Sequence, residues 1–161
     1  MSAADRIKED MLQDFAEAYR SFGLSKLMGR VVALLIFSPL PLSLDEIAAE
    51  LEMSKGPISQ ITRRLSDHHL IRKIWKPGSR KDYYEIQPEI FENAFRNNFL
   101  LTQKNTRIAK KLKDDIAQAN DPELSSLRQR IDEMERFYEI MEKHFQNFLD
   151  EWVVERERIY G

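Results

Sequence analysis

The chain contains no cysteine. Disulfide frameworks, thiolate nucleophiles, iron–sulfur clusters and cysteine zinc sites are therefore excluded. Glycine is scarce: Gly23, Gly29, Gly56, Gly78 and Gly161 lie far apart. Neither a GxGxxG dinucleotide loop nor a Walker A phosphate loop can be built from them. Long apolar runs are also missing. The longest is Val31 to Phe37, far short of the roughly 18 residues that suggest a membrane span. The N-terminus is polar and already amphipathic, unlike a secretory signal. These absences lead us to expect a soluble cytoplasmic protein with no membrane partner. Catalytic signatures are equally thin. His68 and His69 are adjacent and diverge by about 100° on a helix, His144 stands alone, and no HExxH, ExxH or nucleophile elbow occurs. No enzyme, metal site or cofactor is expected.

What remains is 161 residues, of which 42% are apolar and 32% charged. That suits one domain, or one small domain with an oligomerisation arm. Few helix breakers and many Leu, Ile, Glu, Lys and Arg residues favour a mainly α chain. Ile7, Met11, Phe15, Tyr19 and Phe22 form a stripe on a helix over 5–22, stopped by Gly23. A strongly apolar helix over 26–37 ends at Ser38-Pro39-Leu40-Pro41. Ser43-Leu44-Asp45-Glu46 reads as a capping box opening a short helix. After a short turn, Ser54 caps a helix over 54–68 with Pro57 in its first turn. The pair is a helix-turn-helix. Ile71–Lys76 and Lys81–Ile86 then flank Pro77-Gly78-Ser79-Arg80, where Pro-Gly fits the centre of a type II turn, so a β-hairpin is expected. A helix runs from Pro88 to about Ala119, broken by Asn120-Asp121-Pro122. The last helix carries Leu124, Leu127, Ile131, Met134, Tyr138, Met141, Phe145, Phe148 and Trp152 at alternating spacings of three and four, a heptad seam. Continuous to Ile159, it would be a rod of about 54 Å.

The net charge of −2 hides an asymmetry. Between Ser54 and Ile86 stand Lys55, Arg63, Arg64, Arg72, Lys73, Lys76, Arg80 and Lys81 against Asp67, Asp82 and Glu85, a local +5 in a chain that is −7 elsewhere. Such an island suits a polyanion. On the helix wheel Ile58, Ile61 and Leu65 face inward. Gly56, Ser59, Gln60 and Arg63 face outward, with Lys55 and Thr62 flanking. Arg63 can address guanine, Gln60 adenine, and Ser59 or Thr62 a base edge or phosphate. Gly56 admits close backbone approach, and Lys55 and the free first-turn N–H groups suit a phosphate. The hairpin tip adds Lys76, Ser79, Arg80 and Lys81, a wing shaped for the minor groove. Each of these residue types is also ordinary on a solvated surface. Their combination on a helix-turn-helix followed by a basic hairpin is what points to double-stranded DNA.

Residues 42–86 resemble the GbsR-like branch of the MarR-type winged-helix regulators. The resemblance rests on Ser54-Lys55-Gly56 with Ser59, and on Trp75-Lys76-Pro77-Gly78-Ser79-Arg80-Lys81-Asp82-Tyr83-Tyr84. It implies a prokaryotic homodimeric transcription regulator with Ser54, Lys55, Ser59 and Arg63 on the recognition helix and Arg80 at the wing tip. Gln87-Pro88-Glu89 after the wing, and the long final helix, depart from many MarR proteins. DNA binding and dimerisation are therefore the implied properties, and no particular effector.

The expected architecture is mainly α with a small β-hairpin wing. Residues 1–23 would be an N-terminal dimerisation helix, 24–87 the winged helix-turn-helix, and 88–161 a helical dimerisation arm. Two copies would read half-sites of an inverted-repeat operator about one helical turn apart. Leu127, Ile131, Met134, Tyr138, Met141, Phe145, Phe148 and Trp152 are the candidate dimer seam. The competing arrangement packs that seam within its own chain, against Phe91, Phe95, Phe99, Ile108 and Leu112. Met134, Phe137, Tyr138 and Met141 could line a pocket for a small-molecule effector such as a quaternary ammonium ion. The alternative function is a winged-helix protein–protein interaction module that uses its helical arms.

Overall fold

Two units divide the chain in the computed structural model, which describes residues 1–161: Met1–Ala94 and Phe95–Gly161. The first contains α1 (Ala3–Ser21), α2 (Lys26–Phe37), β1 (Leu42–Ser43), α3 (Leu44–Glu50), α4 (Lys55–Asp67), β2 (Ile71–Ile74) and β3 (Tyr83–Ile86). At its end begins α5 (Ile90–Ala119), most of which belongs to the second unit.

The centre of the first unit is α2. Met28, Val31, Val32, Leu34 and Leu35 are all buried there, and a helix apolar on every side is stable only when enclosed. Ile47 and Ala48 of α3, Ile58, Ile61 and Leu65 of α4, Ile71 of β2 and Tyr84 of β3 complete the core. Leu12, Phe15 and Tyr19 of α1 pack against it. The approach of α1 to α2 is set by Gly29, where an added Cβ would stand 2.3 Å from the Phe15 carbonyl oxygen.

Local chemistry fixes the helix boundaries. The capping box at Ser43 is formed in full: Ser43 N–H donates to Glu46 Oε2 at 2.7 Å, and Glu46 N–H donates to Ser43 Oγ at 3.1 Å. The turn between α3 and α4 begins with a Schellman motif. Met53 N–H donates to Ala48 O, Glu52 N–H donates to Ala49 O, and Glu52 takes φ 53°. The end of α4 repeats the device. Leu70 N–H donates to Leu65 O, His69 N–H donates to Ser66 O, and His69 sits at φ 58°. Leu65 and Leu70 are both buried, supplying the apolar contact usual for the motif.

The sheet departs from the expected hairpin in two respects. It has three antiparallel strands in the order β1-β3-β2, with Leu42 opposite Tyr84 and Ser43 opposite Tyr83. The extra strand is only two residues long, too short to leave a periodic trace in sequence. The β2–β3 ladder runs from Ile71↔Ile86 to Ile74↔Tyr83, so each strand is shorter by two residues than its apolar and aromatic run suggested. The tip between them closes on the expected turn: Ser79 N–H donates to Lys76 O, and Gly78 has φ 78°.

The second unit is a helical hairpin. Asp121 accepts from Glu123 N–H, a single 3-10 turn spans Pro122–Leu124, and α6 (Ser125–Tyr160) follows. Lys113 pairs with Asp132 at 3.4 Å and Glu135 at 3.0 Å, and Lys110 pairs with Glu139 at 3.5 Å, which sets α6 antiparallel to α5. Ala109, Ile116 and Ile131 form a small core with Leu124 and Met134 packed on it.

Candidate nucleic-acid interface

Four residues anchor α4 to the core: Ile58, Ile61, Thr62 and Leu65. The opposite face is left to solvent, with Gly56, Gln60 and Arg63 exposed and Ser59 half-buried. Thr62 corrects the sequence reading. At 1% exposure it belongs to the buried face, and its hydroxyl donates to Ser59 O at 3.0 Å. At about 100° per residue its position is nearer to Ile58 and Leu65 than to the outward face. It has no free group for a ligand. Arg64 was overlooked in turn. Its angular offset from the outward centre equals that of Ser59 on the other flank, and it is exposed.

Ser54 occupies the N-cap of α4 but makes no side-chain capping bond, in contrast to Ser2, Ser25 and Ser43 on their own helices. The first-turn N–H groups of α4 are thus without a side-chain cap, at the positive end of the helix dipole.

Charge on the hairpin is mostly matched. Arg72 Nε donates to Glu85 at 2.6 Å, and Lys73 pairs with Asp82 at 3.2 Å. Lys76 Nζ sits 4.1 Å from the centre of the Tyr83 ring, a cation–π contact across the strands. Ser79 Oγ accepts from Lys81 N–H and shapes the tip. One carboxylate joins the two parts of the site: Asp45 of α3 pairs through Oδ1 with Lys55 at the start of α4, and through Oδ2 with Lys81 of the hairpin at 3.5 Å. The hydrogen bond from Lys55 holds the Asp45 carboxyl below the usual carboxylate range, and the charges of Lys55 and Lys81 add to the effect. Helix start and hairpin tip are therefore tied to the same side chain. Arg63, Arg64 and Arg80 form no ion pair. Three exposed guanidinium groups, each able to grip phosphate or guanine with two parallel bonds, remain uncommitted.

In the second unit the heptad seam turns largely toward its own chain. Ile131 is 8% exposed within the α5–α6 core, where Met134 packs beside it. Met141 Sδ accepts from the Thr102 hydroxyl at 3.4 Å. Phe145 meets Phe95 and Phe99 at ring separations of 4.6 and 5.8 Å, and Phe148 meets Phe95 at 4.5 Å. Ile131 is therefore not a surface residue, because α5 already covers it. Tyr138 and Trp152 are half-buried, whereas Leu127 and Phe148 stay exposed. Of the residues expected to cover the seam, Phe95 and Phe99 do so, while Phe91, Ile108 and Leu112 are exposed. Of the four candidate effector-pocket residues, Met134 is partly buried against the α5–α6 core, Met141 meets Thr102, and Phe137 is 57% exposed, edge-on to Tyr138 at 5.2 Å.

A helix-turn-helix followed by a β-hairpin on a three-stranded sheet is a winged helix, and the chain is a winged helix-turn-helix protein. A solved structure described as a transcriptional regulator superimposes with a TM-score of 0.76, at 22% identity, covering 91% of this chain and 97% of that one. Three Bacillus subtilis (strain 168) proteins are similar in sequence. The HTH-type transcriptional repressor OpcR is 28% identical over 130 residues, 78% of this chain and 66% of the relative. YvaV, assigned as an HTH-type transcriptional regulator, is 27% identical over 130 residues, 78% of this chain and 73% of the relative. The HTH-type transcriptional repressor GbsR is 24% identical over 98 residues, 61% of this chain and 53% of the relative. No protein-family model matches the chain. The similarity to these proteins, GbsR among them, thus extends beyond residues 42–86 over most of the chain, and all of them are named as transcriptional regulators or repressors.

Proposed function

We propose that the chain is a sequence-specific double-stranded DNA-binding transcriptional regulator that acts as a homodimer in the cytoplasm of a prokaryote. In this reading α4 enters the major groove, with Arg63 and Gln60 addressing bases, and the hairpin brings Arg80 to the minor groove. Ser54, Lys55, Gly56 and the first-turn N–H groups of α4 meet a phosphate, as do Lys76, Ser79 and Lys81 around the hairpin tip. The observation that carries the proposal is the set of uncommitted guanidinium groups, Arg63, Arg64 and Arg80, on exposed positions of α4 and the hairpin. No helix is long and apolar enough to cross a membrane.

Anisotropy titration of a duplex from the chain's own promoter, against a scrambled duplex, tests it. Preferential binding whose logarithm falls linearly with the logarithm of salt supports the reading, with a slope of about −0.9 per neutralised phosphate. Salt-insensitive binding to a protein partner, with no affinity for either duplex, would establish the interaction-module alternative instead.

Homodimerisation is part of the same proposal. One winged helix reads few base pairs, and paired half-sites about one helical turn apart need two. The segments 1–23 and 88–161 are the proposed dimerisation elements around the DNA-binding segment 24–87. Because α5 consumes much of the heptad seam, the contact with a second copy would draw on apolar residues that stay uncovered, among them Ile7 and Phe22 on or beside α1, Leu101, Ile108 and Leu112 on α5, and Leu127, Phe137, Ile140 and Phe148 on α6. An obligate dimer would bury on the order of 2,000 Å² or more. Phe137→Glu with Ile140→Glu should convert a dimer to monomer in analytical ultracentrifugation and abolish preference for an inverted repeat. A small-molecule effector belongs to the same proposal, and thermal-shift screening with choline-like cations tests it. No shift with any of them removes the quaternary-ammonium form of the idea.

A further inference from the structure

Trp75 is 75% exposed, so the fold leaves most of this large aromatic side chain in water. It is the first residue beyond the last ladder pair, Ile74↔Tyr83, and it precedes Lys76, which is held against Tyr83. The hairpin that carries it holds five cations, Arg72, Lys73, Lys76, Arg80 and Lys81; Arg72, Lys73 and Lys81 are paired with carboxylates, and Lys76 and Arg80 have no ion-pair partner. An indole left in water amid such charge suits a ligand with two properties. It must be anionic at its rim and apolar just inside. The sugar walls of a DNA groove, lined by C–H groups between rows of phosphates, have both.

We propose that Trp75 is a DNA-contact residue of the wing, its ring packed against deoxyribose at the edge of the minor groove. This rests on the DNA-binding reading above and adds a contact of a different physical kind. The cations of the hairpin act through phosphate, so their contribution falls with salt. Trp75 acts through apolar area and carries no charge, so it contributes equally at low and high salt. It also reads no base edge, so its contribution is the same on every sequence.

Trp152 is the only other tryptophan. In a Trp152→Phe background, Trp75 emission should change on adding a promoter duplex of about three helical turns and saturate together with the anisotropy signal. If that background does not fold, the difference between wild-type and Trp75→Phe spectra reports the same signal. Trp75→Ala should weaken promoter and scrambled duplexes alike by about tenfold, the scale set by burying part of an indole's apolar surface, leaving the salt slope unchanged. Trp75→Phe should recover most of the loss. Wild-type binding matched by Trp75→Ala overturns this assignment alone. So does a salt slope that flattens by about one in Trp75→Ala, because Trp75 would then be placing a cation. A Trp75 emission that depends on protein concentration without DNA also overturns it, since a second copy would be covering the ring. Wild-type protein that binds neither duplex overturns the DNA-binding reading and this contact with it.

Discussion

Neighbouring cations on the hairpin tip should differ sharply in their value to DNA binding. Arg80 is exposed and without an ion-pair partner, whereas Lys81 is paired with Asp45 at 3.5 Å. A phosphate can take Arg80 without breaking anything. To take Lys81 it must compete with a carboxylate that Lys55 also holds in its charged form. Arg80→Ala should therefore remove from the duplex one minor-groove cation per protomer and the counterion it displaces, flattening the slope of log K against log salt by about 0.9, or about 1.8 for a dimer. Between 50 and 200 mM salt a slope change of 1.8 corresponds to roughly a twelvefold difference in salt sensitivity. Lys81→Ala should change the slope by clearly less. Asp45→Asn should restore full weight to Lys81, so that Lys81→Ala made in that background flattens the slope as Arg80→Ala does. Anisotropy titrations across that salt range measure all four variants. Equal slopes for Arg80→Ala and Lys81→Ala in the native background would refute the reasoning, because ion pairing within the protein would then not govern which cations reach phosphate.

Other expectations concern stability and pH. Gly29→Ala should destabilise the first unit by about 1–3 kcal/mol, because the added methyl must displace α1 backbone at Phe15, and urea denaturation followed by circular dichroism reads the loss. His69→Gly should stabilise by up to about 1 kcal/mol by relieving a left-handed conformation at the end of α4, an effect seen as a higher denaturation midpoint. The Asp45 tether has an acid limit. Its carboxyl titrates lower in the folded chain than in the unfolded chain, so its contribution is complete above the unfolded pKa and is lost as pH falls through the folded one. The stability difference between wild type and Asp45→Asn should accordingly stay level from pH 8 to about 5 and shrink only below about pH 4. A decline between pH 7 and 6 would assign the tether to another group.

The helices were legible because their determinants are local. Ser43 and Glu46 announce a capping box, Pro39 and Pro41 forbid continuation, and the apolar spacing from Leu124 to Trp152 marks α6 as one long helix, although Leu149 rather than Phe148 is its buried residue near the C-terminal end. β1 was not legible, since two residues carry no period and pair only with a strand forty positions away. Thr62 failed for a different reason. A hydroxyl on the rim of a helix face can turn to solvent or bond back to the preceding turn, and polarity alone does not choose. Here the back-bond to Ser59 lets a polar residue join the buried face at no unsatisfied cost. The seam of α6 was read correctly as apolar, but periodicity states only that a face is covered. It does not say whether a second chain or α5 covers it, and Phe95 and Phe99 answer for much of its length. Asp45 was seen only as part of a cap. Its role in joining Lys55 to Lys81 depends on bringing residues 45, 55 and 81 together, which no local pattern encodes.

The distribution of ion pairs resolves how a chain with net charge −2 can present a face for a polyanion. Asp45, Asp82 and Glu85 neutralise chiefly lysines, together with the strand residue Arg72; Asp82 and Glu85 do so within the hairpin, and Asp45 ties the hairpin to α3 and α4. Of the cations without a carboxylate, three are the arginines Arg63, Arg64 and Arg80, while Lys76 rests on the Tyr83 ring. That division fits their chemistry. A lysine ammonium is compact and strongly hydrated, well served by one carboxylate, whereas a guanidinium is weakly hydrated and matches phosphate or guanine through a planar fork. Removing a carboxylate from such a face would raise its charge and its affinity for any duplex. It would also loosen the geometry that holds Arg63 and Arg80 in register with each other. The acidic residues on the interface are therefore expected to favour discrimination over strength. Asp45→Asn should bind promoter and scrambled duplexes more tightly while narrowing the ratio between them, and a widened ratio would show that Asp45 opposes specific binding instead.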